Sequence, residues 1–268
     1  MNRNTRQPQS SLATVSHCID LNADLGEGFG PWQLTDDQAL LGIVSSANLA
    51  CGGHAGDASI MRRVCREAAR RGVAIGAHVS YDDKPGFGRR ALQIAPAELE
   101  DLVLGQLAML SGIAAAEGTR VAYCKPHGAL YNTIARDHDQ AGAVAAAITA
   151  LFPGMPVLGL PGSIWLEVAE QAGLVPMVEA FADRAYAAEG NLVPRSHPGA
   201  VLQDADHIAE RVVRLVTEGR ITTIEGTELA FTPASICVHG DSPDAVHIAG
   251  RVRQALEDAG VQITAFAR

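Results

Sequence analysis

With 268 residues, 47% of them apolar and 19% charged, the chain carries enough hydrophobic material to build a large core, which excludes a disordered polypeptide. A formal net charge of -9 without any long basic stripe argues against a nucleic-acid or anionic-membrane surface, since both need clustered Lys and Arg. No run approaches the roughly 18 to 20 consecutive apolar residues of a membrane span, and Cys18, Cys51, Cys65, Cys124 and Cys237 are scattered, odd in number and without a CxxC pair. That usage points to a reducing cytoplasm, not to a disulfide framework or a thiolate zinc site.

Residues 1–17 carry two Arg but no apolar h-region, and read as a disordered tail ahead of one domain spanning 18–268. From there short buried strands alternate with longer amphipathic helices. A strand at 18–22 is followed by one at 44–49 with a helix at 58–71, then a strand at 73–78 with a helix at 96–117. Next come strand 121–125 and helix 140–151, strand 156–160 and helix 163–172, and strand 175–181 with helix 204–218. A small hairpin at 221–231, centred on Glu225 and Gly226, precedes the last strand at 235–239 and a helix at 243–259.

Most of these strands read as continuous apolar runs, as parallel strands covered on both faces do. Asp57 stands as an N-cap, Pro96 supplies the fixed φ of a first helical turn, and Gly72, Gly118, Gly173, Gly219 and Gly260 each follow a helix. About seven strands predict a single-domain parallel (β/α) barrel, distorted relative to a TIM barrel. An open doubly wound sheet is the alternative.

Nearly every strand is followed at once by polar residues in a Gly-rich loop. The first gives Asn22, Asp24 and Glu27 (NADLGEG); the second Asn48, His54 and Asp57 (NLACGGHAGD); the third His78, Ser80, Tyr81 and Asp82. Lys125, His127 and Asn132 follow in KPHGALYN, Asp183 and Arg184 in FADRAY, and His239 and Asp241 in VHGD. In parallel α/β architectures these strand ends share one face, the usual place for chemistry.

Each residue also has a plain structural reading. Asp57 is first a helix cap. His54, His78, His127 and His239 are each readable as buried histidines satisfied by the backbone, though four of nine histidines at strand ends make that reading poor for all four together. Lys125, at the end of an apolar strand, needs an anionic partner: a substrate carboxylate or phosphate, or a salt bridge to Asp24 or Glu27. Asp183 and Arg184 are readable as an ion pair, and Cys51 and Cys237 as small buried apolar residues.

There is no G-x-x-x-x-G-K-[ST] phosphate loop, no G-x-S-x-G elbow and no H-E-x-x-H helix. GEGFG fails as a dinucleotide fingerprint because Pro31 occupies the place of the third glycine. A nucleotide, if one is used, is not held by either of these loops.

The strings IDLNADLGEGFG, SSANLACGGHAGD, GAHVSYDDKPGFGRR, YCKPHGALYN, EAFADRAY with GNLVPRSHPGAV, and ICVHGD run in order from Ile19 to Asp241. In these the chain resembles the LamB/YcsF family. The resemblance implies a polysaccharide-deacetylase-like barrel. It also implies a part in the ATP-dependent opening of 5-oxo-L-proline to L-glutamate, with ATP as co-substrate and two other 5-oxoprolinase subunits, B and C, as partners. Family loop residues carry over onto Asp24, His54, His78, Lys125, His127, Asp183, Arg184, His239 and Asp241. Val79, the shortened loop at 82–86 and His197 depart from the family's usual pattern.

The expected roles are proton transfer by Asp24, His127, Asp241 or His239, and substrate contacts through Lys125, Arg184, Asp183, His54, His78 and Asn48. Metal-free chemistry is the main reading. A variant places a divalent ion on Asp24, His54 and His127. The rival functions are a metal-dependent amide or sugar deacetylase acting alone, and a non-catalytic ligand-binding barrel.

Overall fold

Strand β1 (Cys18–Leu25) has the sequence CIDLNADL, in which polar and apolar residues alternate. Side chains along a strand point to opposite faces, so Asp20, Asn22 and Asp24 share one face, and Ile19, Leu21, Ala23 and Leu25 the other. All seven are buried. The strand is therefore covered on both sides, as expected, but it is not a continuous apolar run: its polar face is satisfied by other polar side chains instead of by water.

The computed structural model describes residues 17–241 and 244–267; residues 1–16 of the expected tail lie outside the described residues. After β1 come α1 (Asp37–Leu40), β2 (Ser46–Ala50), α2 (Ala58–Arg71), β3 (Ala74–His78), α3 (Pro96–Ala116), β4 (Val121–Cys124), α4 (Gly128–Ile134) and α5 (His138–Leu151). Then follow β5 (Pro156–Gly159), α6 (Ile164–Gln171), β6 (Val175–Phe181), α7 (Ala205–Glu218), β7 (Arg220–Thr222), β8 (Glu228–Ala230), β9 (Ser235–Val238), α8 (Ala245–Asp258) and β10 (Gln262–Ile263).

Strands β1 to β6 pair in sequence order, and β9 pairs in parallel with both β6 and β1. That last pairing closes a seven-stranded parallel barrel, so the open-sheet alternative falls. The expected hairpin is present as the antiparallel pair β7–β8, separate from the barrel. The short α1, α4 and β10 are additions to the sequence reading, and β10 extends the sheet beside the start of β1.

The helices are stabilised locally as their sequences require. Asp57 accepts from the backbone N–H groups of Ser59 and Ile60, and Gly72 closes the same helix; a cap of this kind contributes about 1 kcal/mol. Helix α3 alone among the described residues is long and apolar enough to cross a membrane, but it lies along α5 and α2 in the helical layer.

The barrel interior is a hydrogen-bonded stack. Near its base Tyr123, Leu158 and Ala267 form a small apolar cluster, with Phe266 against the Tyr123 ring. Gly76 of β3 makes room for that ring, because a Cβ there would lie 2.2 Å from it. Asp20 accepts from the hydroxyls of Ser45, Ser46 and Ser235. Above it, Asn22 Nδ2 donates to Glu179 Oε1 at 3.0 Å across the barrel, and Asn48 Nδ2 donates to Asn22 Oδ1 at 2.6 Å and Asp24 Oδ1 at 2.8 Å. Tyr123 donates its hydroxyl to Asn48 Oδ1 at 2.7 Å.

Candidate active site

The loops after the barrel strands meet at the C-terminal mouth around a cavity of about 670 Å³, well within the range of small-molecule sites. Asp24, Glu27, His78, Lys125, His127 and His239 line its inner part. Arg89, Arg136, Arg184 and Arg195 also line it.

Lys125 forms the floor. Its Nζ lies 3.1 Å from Asp24, 3.0 Å from Glu179 and 3.0 Å from Cys237 Sγ, with the ammonium over the Phe181 ring. Burial alone would push the Lys125 pKa down, but Asp24, Cys237 and Glu179 reverse this and hold it well above its ordinary value. Burial likewise works to raise Asp24, yet His78 and Lys125 hold its carboxyl well below the usual range. The floor is thus a fixed, charged cluster. The expected salt bridge to Asp24 is present; its second carboxylate is Glu179, not Glu27.

Beside it sit three histidines and a carboxylate. His78 Nδ1 is 2.9 Å from the Lys125 carbonyl, and His127 Nε2 is 3.0 Å from the Phe87 carbonyl. Because a carbonyl only accepts, each of those nitrogens carries its ring proton. The other nitrogens, His78 Nε2 and His127 Nδ1, face one another at 3.0 Å. His54 Nε2 lies 3.2 Å from Glu27 Oε1, the His54 ring stacks on His127 at 3.7 Å, and Glu27 Oε1 is 3.6 Å from His127 Nδ1.

Burial, followed by the neighbouring imidazoles, holds His54 and His127 well below the ordinary histidine value. Burial, then Asp24, pushes Glu27 well above the carboxylate range. The loop after β3 shapes this group. Phe87 adopts a left-handed backbone (φ 53°) that aims its carbonyl at His127, and a Cβ on Gly88 (φ 63°) would come within 2.8 Å of both His54 and His127. A bulky residue held at positive φ is uncommon and costs energy, so the surrounding contacts must enforce it.

Elsewhere on the cavity wall His239 Nδ1 is 2.8 Å from Asp183 Oδ1, and its ring stacks against Phe181. Burial would raise Asp183, but His239 and then Arg195 lower it below the ordinary carboxylate value. This is the carboxylate–histidine arrangement that orients an imidazole for proton transfer.

Several expectations change. Asp183 pairs with His239 and not with Arg184, whose guanidinium donates to the carbonyls of Val193 and Ala200. Asp241 pairs with Arg89 at the rim. Asn48 is fully buried, donates to Asp24 and does not line the cavity. His54 is fully buried behind His127 and likewise does not line the cavity. The metal-variant set changes too: Glu27 and His78 join His54 and His127, while Asp24 is bound to Lys125 and Asn48.

Arg89 and Glu179 are not among the residues that the sequence alone points to, and Glu27, noted there as a strand-end carboxylate, is given no role beyond a partner for Lys125. Glu179 carries a signal, since a lone carboxylate inside an apolar strand requires a buried partner. Asp57 is the cap it is expected to be, held down to about 2 by the Ser59 hydroxyl and then by backbone N–H groups.

The fold and the mouth together define a β/α-barrel protein with a cavity at the C-terminal ends of its strands into which carboxylate, imidazole and cationic side chains project. The sequence model of the LamB/YcsF family matches residues 19–268, and the chain belongs to that family. A Streptomyces avermitilis protein, named as the A subunit of 5-oxoprolinase, is 57% identical over 249 residues, covering 93% of this chain and all of that one. A Mycobacterium avium protein of the same name is 57% identical over 248 residues, covering 92% and 98% of the two chains. A solved structure described as a lactam utilization protein from Thermus thermophilus superposes with a TM-score of 0.89 at 43% identity, covering 93% of this chain and 100% of that one.

Proposed function

We propose that the chain is the ring-opening subunit of an ATP-dependent 5-oxoprolinase, converting 5-oxo-L-proline to L-glutamate with ATP and two partner subunits, B and C. The observation that carries this is the Asp183–His239 pair opening onto the same cavity as Lys125 and the four arginines. Its relatives' name supplies the substrate class. The free, mostly buried cysteines fit a cytoplasmic setting.

A lactam is a resonance-stabilised amide, and phosphorylation of its oxygen makes the ring carbon electrophilic. The chain has no phosphate loop, so ATP is assigned to the partners. His239 takes a proton from the attacking water while Asp183 balances the imidazolium. The C–N bond then breaks as the imidazolium returns its proton to the departing ring nitrogen, which leaves as the amine, and a second water cleaves the resulting acyl phosphate to glutamate and phosphate. Arg184, the other cavity arginines and Lys125 offer cationic groups to the substrate carboxylate and the phosphate. In this reading Asp24 holds Lys125, and Asp241 holds Arg89.

The test is glutamate release by this chain alone and with its partners, each with and without ATP. Release is expected only in the complete mixture. In that mixture Asp183→Asn, which leaves the shape intact but fails to orient and balance His239, should lower kcat about 10²- to 10⁴-fold. An unchanged rate refutes the assigned pair. The histidine cluster favours a second reading, a metal-dependent amide or sugar deacetylase acting alone. Full turnover of an amide or acetylated sugar without ATP or partners would select it. A non-catalytic binding barrel requires Asp183→Asn to leave turnover by the complex unaffected.

A further inference from the structure

We infer that Glu27, His54, His78 and His127 form a binding site for one divalent cation of the zinc class. Backbone carbonyls fix the ring protons of His78 and His127 on the nitrogens that face away from each other. Their remaining nitrogens, both acceptors, nevertheless meet at 3.0 Å. Glu27 Oε1 is 3.6 Å from His127 Nδ1, and Asp24 Oδ1 adds another acceptor 3.4 Å from His78 Nε2. Lone pairs converging in a buried site repel one another unless a cation sits among them.

The spacing fits a metal ion. With metal–nitrogen bonds of about 2.0–2.1 Å, tetrahedral ligand atoms stand about 3.3–3.4 Å apart. Here the close pairs are 3.0, 3.2 and 3.6 Å apart, and all four ligand atoms lie within 4.8 Å of one another. Three imidazoles and one carboxylate make a borderline donor set suited to Zn²⁺ or Co²⁺ and poorly suited to Mg²⁺ or Ca²⁺. The two carbonyl acceptors supply the outer hydrogen bonds by which ligating histidines are oriented. The strained Phe87 carbonyl belongs to that outer set.

His78, His127 and Glu27 also line the cavity, so the ion is reachable from it. The inference stands on ligand geometry and holds whichever substrate the cavity takes. The competing arrangement fills the same space with protons shared among the four groups, and binds no ion.

Metal-free full-length protein, prepared with a chelator and titrated with Co²⁺ and no substrate present, decides between them. One Co²⁺ per chain is expected, with the intense visible absorption of four-coordinate cobalt, displaced by one equivalent of Zn²⁺. His54→Ala should weaken Co²⁺ binding at least 100-fold and Glu27→Gln at least tenfold, while His207→Ala, at an exposed histidine remote from the cluster, should leave it unchanged. Should His54→Ala fail to fold by circular dichroism, the near-isosteric Glu27→Gln carries the test. The inference is overturned if the chain takes up no stoichiometric Co²⁺, or if a folded His54→Ala or Glu27→Gln protein binds it as the parent does. Because no turnover is measured, either result is separate from the fate of the lactam-opening reading.

Discussion

Replacement of Asp20 by Asn tests the polar interior at its base. Burial pushes the Asp20 carboxyl up from 3.8 to about 6, with hydrogen bonds from Ser235, Ser45 and Ser46 holding it back. A carboxyl whose folded pKa is raised gives stability that is fully present below its unfolded value and is lost as pH rises through the folded one. The shift of about two units corresponds to about 3 kcal/mol, lost between roughly pH 4 and pH 6. The asparagine amide stays neutral throughout and keeps an oxygen to accept from the serine hydroxyls.

The Asp20→Asn protein should therefore match the parent within about 1 kcal/mol near pH 4. It should exceed it by about 3 kcal/mol at pH 8, or roughly 6–12 °C in Tm for a chain of this size. Urea unfolding of both proteins at half-unit steps from pH 4 to pH 8 gives the difference, in which titrations not coupled to Asp20 cancel. A difference that does not change with pH, or one that favours Asp over Asn as pH rises, would refute the reasoning.

Lys125→Met should cost about 3–5 kcal/mol in urea unfolding at pH 7, because it strands Asp24 and Glu179 as buried carboxylates. A loss under 1 kcal/mol would mean that the two carboxylates have other means of compensation. Gly76→Ala places a methyl 2.2 Å from the Tyr123 ring. It should cost about 1–3 kcal/mol, relieved by combination with Tyr123→Leu in a double-mutant cycle. Additive costs would count against the clash. Asp57→Ala should remove about 1 kcal/mol through loss of the α2 cap. That contribution is present above the unfolded carboxyl pKa and fades as pH falls toward about 2, a trend that thermal melts from pH 2 to pH 6 would check.

Elements specified by local chemistry are readable from the sequence. Helix α2 begins after the Asp57 cap and ends at Gly72, where the capping and periodicity signals place it, and β6 spans 175–181 as expected. Helix α4 is masked in the sequence by the polar string KPHG, which has the composition of a loop. Yet Leu130, Tyr131 and Ile134 carry the helical spacing and are buried as it requires.

Strand ends indicate the mouth correctly, but not which groups meet there. Asp183 finds His239 across 56 residues and Lys125 finds Asp24 across 101, and no local pattern encodes such pairings. Glu27 reaches His54 and His127 only because the chain turns after β1 at Gly26, which has φ 70°. The barrel's closure is equally hidden, since it depends on β9 pairing with β1 from the far end of the sequence.

The alternation within β1 has a consequence for assembly. A slip of one residue against β2 or β9 would turn Asp20, Asn22 and Asp24 toward the helical layer and bring Leu21 and Ala23 among the serines and Glu179. Every such misalignment leaves buried donors and acceptors unmatched at several levels at once. The hydrogen-bonded stack thereby works as a key cut to one depth, admitting the final strand only in the alignment that also delivers the mouth residues to a common height.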